Sequence, residues 1–341
     1  MGVIHFQRLP NSSNHSIERV FASVRGALRE VEIVVSVCPF ESRGIFKRLC
    51  NIVYAWSQES DVNHITGDVH YIALLLRKHR TVLTVCDCGG MLRESGLRRR
   101  LFHLMWLKMP VARSAIVTVI SEQTKQEVLR YTSCPEERIR VIPVPVGSEF
   151  QPAPKPFRSD RPTILQVGTG RNKNIERLTE AISGLQCRLD VVGPLSAEIQ
   201  RRLARAGVLF EWASNLSDSE VAAKYRDADL VTFCSTYEGF GMPITEANAI
   251  GRPVVTSRIE PMVSVAGGAA CLVDPYDPMS IRSGILRVIE DRHYREVLVR
   301  LGFENAKRFS AEAVAQSYMA VYRELGLPTN RPTLTAITLG K

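Results

Sequence analysis

Apolar residues in this chain fall in short blocks, and longer segments between the blocks space them three and four apart. The blocks are Met1–Phe6, Val31–Val37, Thr81–Val85, Ala115–Ile120, Thr163–Val167, Leu189–Val192, Leu230–Cys234 and Pro253–Thr256. Runs this short, bounded by Gly, Pro, Asn and Ser, predict strands. The intervening segments place Ile17, Val20, Phe21 and Val24 on one helical face, then Ile175, Leu178 and Ile182, then Val314, Tyr318, Val321 and Tyr322. Strands alternating with amphipathic helices predict an α/β chain with doubly wound sheets. The pattern breaks once, at Gln151–Arg161, where Pro152, Pro154 and Pro156 lead into Pro162. That is a linker composition. It divides the chain into a first domain over 1–150, a linker over 151–162 and a second domain over 163–305. A last helix over 306–325 and a tail over 326–341 follow.

The densest chemistry lies between Leu230 and Thr256. A strand block is followed by the loop Ser235-Thr-Tyr-Glu-Gly-Phe-Gly-Met242, then Pro243 and an apolar helix, then Gly251. Pro243 suits the first position of a helix and Gly251 the position just past its end. Strand, glycine loop, helix and strand place the loop at the carboxyl end of a parallel sheet, where ligands bind. Gly239 and Gly241 let a backbone come close to a ligand. The amides of Phe240, Gly241 and Met242 then sit near a helix N-terminus, which favours an anion. Glu238 and Glu246 flank the same point. Carboxylates accept hydrogen bonds from sugar hydroxyls and repel phosphate. Phosphates held between two sugars describe a nucleotide sugar.

A second loop has the same construction. Gly168-Thr-Gly170-Arg171-Asn-Lys173 follows a strand and precedes a helix that Asn174 is placed to cap. Arg171 and Lys173 bring positive charge to a diphosphate there.

Glu238 and Glu246, with the residues between them, resemble the E-x7-E signature of family 4 retaining glycosyltransferases of the GT-B fold. The resemblance runs over nearly the whole chain and is strongest from Val117 to Glu324. It implies two Rossmann-like doubly wound domains facing across a cleft, the nucleotide-sugar donor on the second and the acceptor on the first. It implies retaining transfer of a hexose-type sugar without a metal or cofactor, in the assembly of cell-surface polysaccharide or glycolipid. Glu238, Lys173 and Arg171 are the expected catalytic residues. Glu246, Gly239, Phe240, Gly241, Met242, Gly168 and Gly170 are expected to hold the donor. Asp87, His64, His70 and His15 are candidates for the acceptor cleft. The chain departs from the family pattern at Cys86, where many relatives have a histidine, at Thr169, where an arginine is common, and at Ser264, where a glutamate is common. These departures keep open a GT-B scaffold without activity. A nicotinamide-dependent oxidoreductase is a further alternative, since Asp190 follows Gly168-x-Gly170 at about the spacing of a dinucleotide fingerprint. Asp227-Ala-Asp229 admits a metal-dependent transferase of the GT-A type.

Composition narrows the partners. Of 341 residues, 45% are hydrophobic and 23% charged, which fits a globular chain of two domains. The formal net charge of +9 favours a polyanionic partner. No nucleic-acid motif accompanies it, so a diphosphate and an anionic membrane surface account for it better. The basic segment Arg93–Lys108 interleaves cations with Leu97, Phe102 and Trp106. Packing of its apolar side inward is weighed against lying on a membrane. The eight cysteines are scattered, as reduced core residues of a cytoplasmic protein would be. No apolar run reaches the roughly 20 residues of a membrane span, and the first residues lack the basic start of a signal peptide. The expected place is the cytoplasm, peripherally on the inner face of the cell membrane.

Overall fold

The computed structural model describes residues 2–10, 16–93 and 96–327. In order, the first half forms β1 (Val3–Gln7), α1 (Ser16–Ala27), β2 (Ile33–Val37), α2 (Ile45–Ser57), β3 (Val62–Ile65) and β4 (Thr81–Val85). It continues with α3 (Gly90–Arg93), α4 (Gly96–Phe102), α5 (Met109–Ala112), β5 (Ile116–Val119), α6 (Glu122–Tyr131) and β6 (Ile139–Val141). The strands make one sheet in the order β2-β1-β3-β4-β5-β6, with every pair parallel.

The second half repeats the plan. It comprises β7 (Thr163–Val167), α7 (Ile175–Ile182), β8 (Arg188–Val192), α8 (Ala197–Arg205), β9 (Leu209–Ala213), α9 (Asp218–Asp227) and β10 (Leu230–Phe233). Then come α10 (Met242–Ile250), β11 (Val254–Ser257), α11 (Met262–Ala266), β12 (Cys271–Val273), α12 (Pro278–Glu290), α13 (Arg292–Lys307) and α14 (Ala311–Glu324). Its sheet runs β12-β11-β10-β7-β8-β9, again parallel. A parallel sheet is covered on both faces, which is why its strands read as continuous apolar runs. Leu230–Phe233 and Val254–Ser257 are buried at every position.

The strand orders locate the ligand sites before any side chain is considered. In the second sheet the order reverses direction between β7 and β10, and in the first between β1 and β3. Loops at such switch points splay apart and leave a crevice at the carboxyl ends of the strands. The loops after β7 and β10 are the two singled out by their glycines and charges.

α14 leaves the second half and packs on α1. Tyr318, Tyr322, Val314 and Met319 share a core with Val3, Phe21, Val24 and Val62 of the first half. Each of these fully buried apolar side chains contributes roughly 1.5–3 kcal/mol through removal from water. The prolines of the linker do not leave it loose. Lys155 and Arg158 reach Asp229 at 2.8 and 3.0 Å, and the Ala153 amide donates to the Ile250 carbonyl at 3.1 Å. Asp229 also accepts from the Thr163 amide at 2.8 Å, so this acid ties the linker to the sheet.

Local signals hold with two corrections. Ser121 caps α6 by accepting from the Thr124 amide at 3.1 Å. Pro243 occupies the second position of α10, because Met242 takes the first, and Gly251 ends the helix with φ 87°. Asn174 does not cap α7 with its side chain. It adopts a left-handed backbone (φ 61°), and its side-chain Nδ2 donates instead to the carbonyls of Cys234 and Pro275 at 3.0 and 2.7 Å. Those bonds tie the loop after β7 to the loops after β10 and β12. In the basic segment, Leu107 is buried and Phe102 and Trp106 pack against the core. Among the described side chains, inward packing therefore accounts for its apolar side, apart from Leu101 and Leu104, which are exposed. All eight cysteines are free thiols, and six are buried.

Candidate active site

Lys173 is the centre of the site. It ends a short 3-10 turn, Arg171–Lys173, between β7 and α7. Its ammonium donates to Glu238 Oε1 at 2.7 Å and lies 4.6 Å from the centroid of the Phe233 ring. Asn172 donates to the same carboxylate oxygen at 3.1 Å and to the Tyr237 carbonyl at 3.0 Å. The two glycine loops are thereby joined through a half-buried ion pair. Gly168 has φ 86°, and a Cβ there would stand 2.8 Å from Lys173 Cε. The left-handed backbone favours glycine here, and the lysine stem folds back over it. Gly170 opens the turn with φ −60°, and its carbonyl accepts from the Lys173 amide at 2.8 Å. Arg171 is exposed at the start of that turn.

Glu246 sits one turn into α10 and is 8% exposed. The Tyr225 hydroxyl, from α9, donates to its Oε2 at 2.5 Å. Burial pushes the Glu246 carboxyl up to about 7, and the Tyr225 hydrogen bond and the charges of Arg19 and Lys173 oppose that shift. Tyr225 is itself buried and shifted well above the usual phenol range, so it remains a donor. Neither Tyr225 nor Arg19 carries a signal in the sequence that points to this site. Tyr225 reads there as an apolar helix position, and nothing in its spacing points to a carboxylate 21 residues on.

The first half faces this site with a cavity of about 560 Å³, lined by Arg8, Asp68, His70, Cys86, Asp87 and Trp106 among others, and by Met242 from α10. His70 Nδ1 bonds the Trp106 carbonyl at 2.8 Å, and Asp87 Oδ1 accepts from the Gly89 amide at 2.7 Å. Both therefore lie in the cleft. His64 does not. It is fully buried in β3, with Nδ1 on the Tyr322 hydroxyl and Nε2 on Thr84 Oγ1, both at 2.7 Å. Burial lowers its pKa to about 3, so it is a neutral core group beneath α14. Its position at the middle of a central strand buries it whatever its chemistry. His15 lies outside the described residues.

The two halves touch at the candidate site. Tyr237 donates to Glu127 Oε2 of α6 at 3.2 Å, and Arg19 of α1 pairs with Asp218 at the start of α9. Gly239 is pressed onto the first half: a Cβ there would lie 2.6 Å from the Cys86 carbonyl oxygen and 3.2 Å from Asp87 Cβ. Close approach to a ligand is the sequence-based reason for this glycine, whereas the structure shows close approach to the opposite backbone. Gly241 has φ 116° and opens α10. The Phe240 ring is buried edge-on against Phe309 at 5.6 Å, so only its backbone is available to a ligand. We expect Gly239→Ala to lower kcat/KM by roughly 10–10²-fold, since displacements near 1 Å have that effect. Nucleotide affinity measured by calorimetry should be nearly unchanged, and an equal loss in both would refute this role.

A groove of about 740 Å³ lies at the opposite, amino-terminal ends of the second sheet's strands, beside Lys155, Asp229 and Arg252. Two of its cations are engaged: Arg252 donates to the carbonyls of Tyr225, Ala153 and Arg226, and Lys155 pairs with Asp229.

Comparison with known proteins bears on this geometry. Residues 147–305 match the family described as glycosyl transferases group 1. That segment contains Lys173, Glu238 and Glu246. The chain is 27% identical over 233 residues to O-antigen chain mannosyltransferase B of Escherichia coli, covering 62% of this chain and 61% of that one. It is 29% identical over 245 residues to the MMP alpha-(1->4)-mannosyltransferase of Mycolicibacterium hassiacum, covering 67% and 59%. The chain thus spans about three fifths of the length of these curated relatives. Among solved structures, Anabaena Alr3699/HepE in complex with UDP and glucose superposes with a TM-score of 0.76 at 14% identity, over 95% of this chain and 100% of that one. Sucrose-phosphate synthase from Thermosynechococcus elongatus gives 0.75 at 16%, over 95% and 98%. The fold is GT-B. In the group 1 segment, the switch-point loops supply the charged residues. The first half supplies the facing wall.

Proposed function

We propose that this chain is a retaining glycosyltransferase that moves a hexose from a nucleotide-diphosphate sugar to an acceptor hydroxyl. The observation that carries the reading is the Lys173–Glu238 pair at 2.7 Å, with Glu246 one turn into the adjoining helix. These are a cation for a leaving diphosphate, a carboxylate for the transferred sugar and a carboxylate for ribose hydroxyls, all at one sheet switch point. The donor lies on the second half, and the acceptor enters from the cavity beside His70 and Asp87. Closure of the cleft excludes water. The acceptor attacks on the face from which the diphosphate departs, and a diphosphate oxygen takes the acceptor proton. Lys173, Arg171 and the two helix N-termini meet the growing negative charge. We assign that task to these groups without a metal ion or cofactor.

The named activities of the two mannosyltransferase relatives, and the UDP and glucose bound by the Anabaena protein, support a nucleotide-hexose donor. The O-antigen relative supports a role in cell-surface polysaccharide or glycolipid assembly, with a free or lipid-linked sugar as acceptor. We place the protein in the cytoplasm, against the anionic inner face of the membrane. Asp190 does not support the oxidoreductase alternative, because Lys224 holds it at 2.9 Å beneath the sheet end.

The test is a thermal-shift screen of UDP-, GDP- and ADP-hexoses followed by turnover of the best binder with and without EDTA. A ligand at 100 times its Kd adds about 2.7 kcal/mol to stability. One nucleotide series should raise Tm, and EDTA should leave its turnover unchanged. No shift with any series would refute the reading.

A further inference from the structure

α2 carries two apolar faces, and only one is used by the fold. Asn51, Ile52 and Ala55 are buried against the core. Ile45, Phe46, Leu49, Val53 and Trp56 are exposed, Ile45 and Phe46 by 77% and 78% and Trp56 by 56%. At about 100° per residue these five fall within an arc roughly 100° wide. Isolated exposed apolar residues are ordinary, whereas a continuous stripe marks a surface that something covers.

Charge identifies what covers it. α2 itself contains no Asp or Glu, and Lys47 is exposed beside the stripe, while Arg43, just before the helix, pairs with the exposed Glu41 at 3.9 Å. Aromatic and aliphatic side chains beside an exposed lysine, on a helix that carries no acid, match the boundary of an anionic bilayer. A protein interface of this kind is usually depleted in lysine. We propose that this face of α2 seats the protein on an anionic lipid surface. The assignment rests on the reading of a membrane-side glycosyltransferase and locates its docking surface away from the basic segment Arg93–Lys108.

Placement gives the face a purpose. α2 packs on the 3-10 segment His70–Leu74, whose His70 lines the acceptor-side cavity. The Arg48 guanidinium, on α2, lies 5.0 Å from the ring centroid of Trp106, another wall of that cavity. A bilayer beneath α2 therefore lies beside the acceptor entrance. A sugar carried on a lipid reaches the cleft from there without leaving the membrane.

The experiment is co-sedimentation of the full chain with vesicles of phosphatidylcholine alone, or with about one third phosphatidylglycerol. The native protein should bind the anionic vesicles, be released by salt and show a blue shift of tryptophan emission that is lost with Trp56. The double variant Phe46→Glu, Trp56→Glu should bind roughly tenfold or more weakly. Both positions are exposed, so folding and turnover of a water-soluble donor should be unchanged. Undiminished binding of the variant overturns the assignment of this face and leaves the membrane reading standing. No binding by the native protein overturns both, and self-association through this face in sedimentation equilibrium overturns its assignment to lipid. Vesicle binding without donor turnover counts against the proposed reaction and not against the docking face.

Discussion

Lys173→Ala is expected to lower kcat/KM by roughly 10²–10³, the range seen when one preorganised donor to a developing charge is removed. The ammonium sits at a strand-to-helix junction, 2.7 Å from Glu238 and over the Phe233 ring. Helix amides at that junction already favour an anion. The lysine adds a full charge on a flexible stem, which can follow the diphosphate as its negative charge grows. Such a contact strengthens in the transition state, so rate should suffer more than ground-state nucleotide affinity. Lys173→Arg should recover only part of the loss. A planar guanidinium does not reproduce a compact ammonium above Gly168, where the space for the stem is tight. Arg171→Ala should cost less, because Arg171 is exposed. Steady-state kinetics with the identified donor checks all three. Unchanged kcat/KM in Lys173→Ala would mean that the diphosphate is held elsewhere.

Glu246→Gln should weaken donor and free nucleotide alike by about 1.5–3 kcal/mol, the cost of losing a hydrogen bond to a charged group. Its pH behaviour is the sharper test. Burial holds the Glu246 carboxyl near 7 against an ordinary value of 4.5. Nucleotide affinity should therefore rise as pH increases through about 7, since the carboxylate accepts hydrogen bonds more strongly than the acid. Stability should move the other way. The raised value means that the folded state binds more protons than the unfolded chain between pH 4.5 and about 7. Stability from this group is present below 4.5 and is lost as pH rises to about 7. The Gln variant should lack both trends while keeping a partner for Tyr225. Calorimetry with the nucleotide and urea unfolding at pH 5 and pH 8 measure them. A wild-type profile identical to that of the variant would show that Glu246 does not titrate in this range.

Much of this arrangement was legible along the chain. Thr81–Val85 and Thr163–Val167 are strands over the ranges that their apolar runs predict, because strands buried on both faces of a parallel sheet are predominantly apolar. Glu238, Glu246 and Lys173 stood out because glycine loops between strand and helix narrow the chemistry to anions and sugars. His70 and His64, only six residues apart, could not be separated that way. One begins a 3-10 segment at the cavity and the other lies in mid-strand beneath Tyr322. Exposure depends on what packs above a residue, and here that is a helix more than 250 residues away.

The linear pattern by itself determined eight of the twelve described strands and the two charged loops, since these follow from local backbone preferences and the periodicity of burial; β3, β6, β9 and β12 are not among its blocks. Only the tertiary structure decided which groups meet across those loops. It paired Lys173 with Glu238 and set Tyr225 against Glu246. It pressed Gly239 onto the Cys86 carbonyl and left one apolar face of α2 uncovered. These outcomes depend on distances between segments far apart in the chain. Strand order and helix packing set those distances, and no local spacing encodes them.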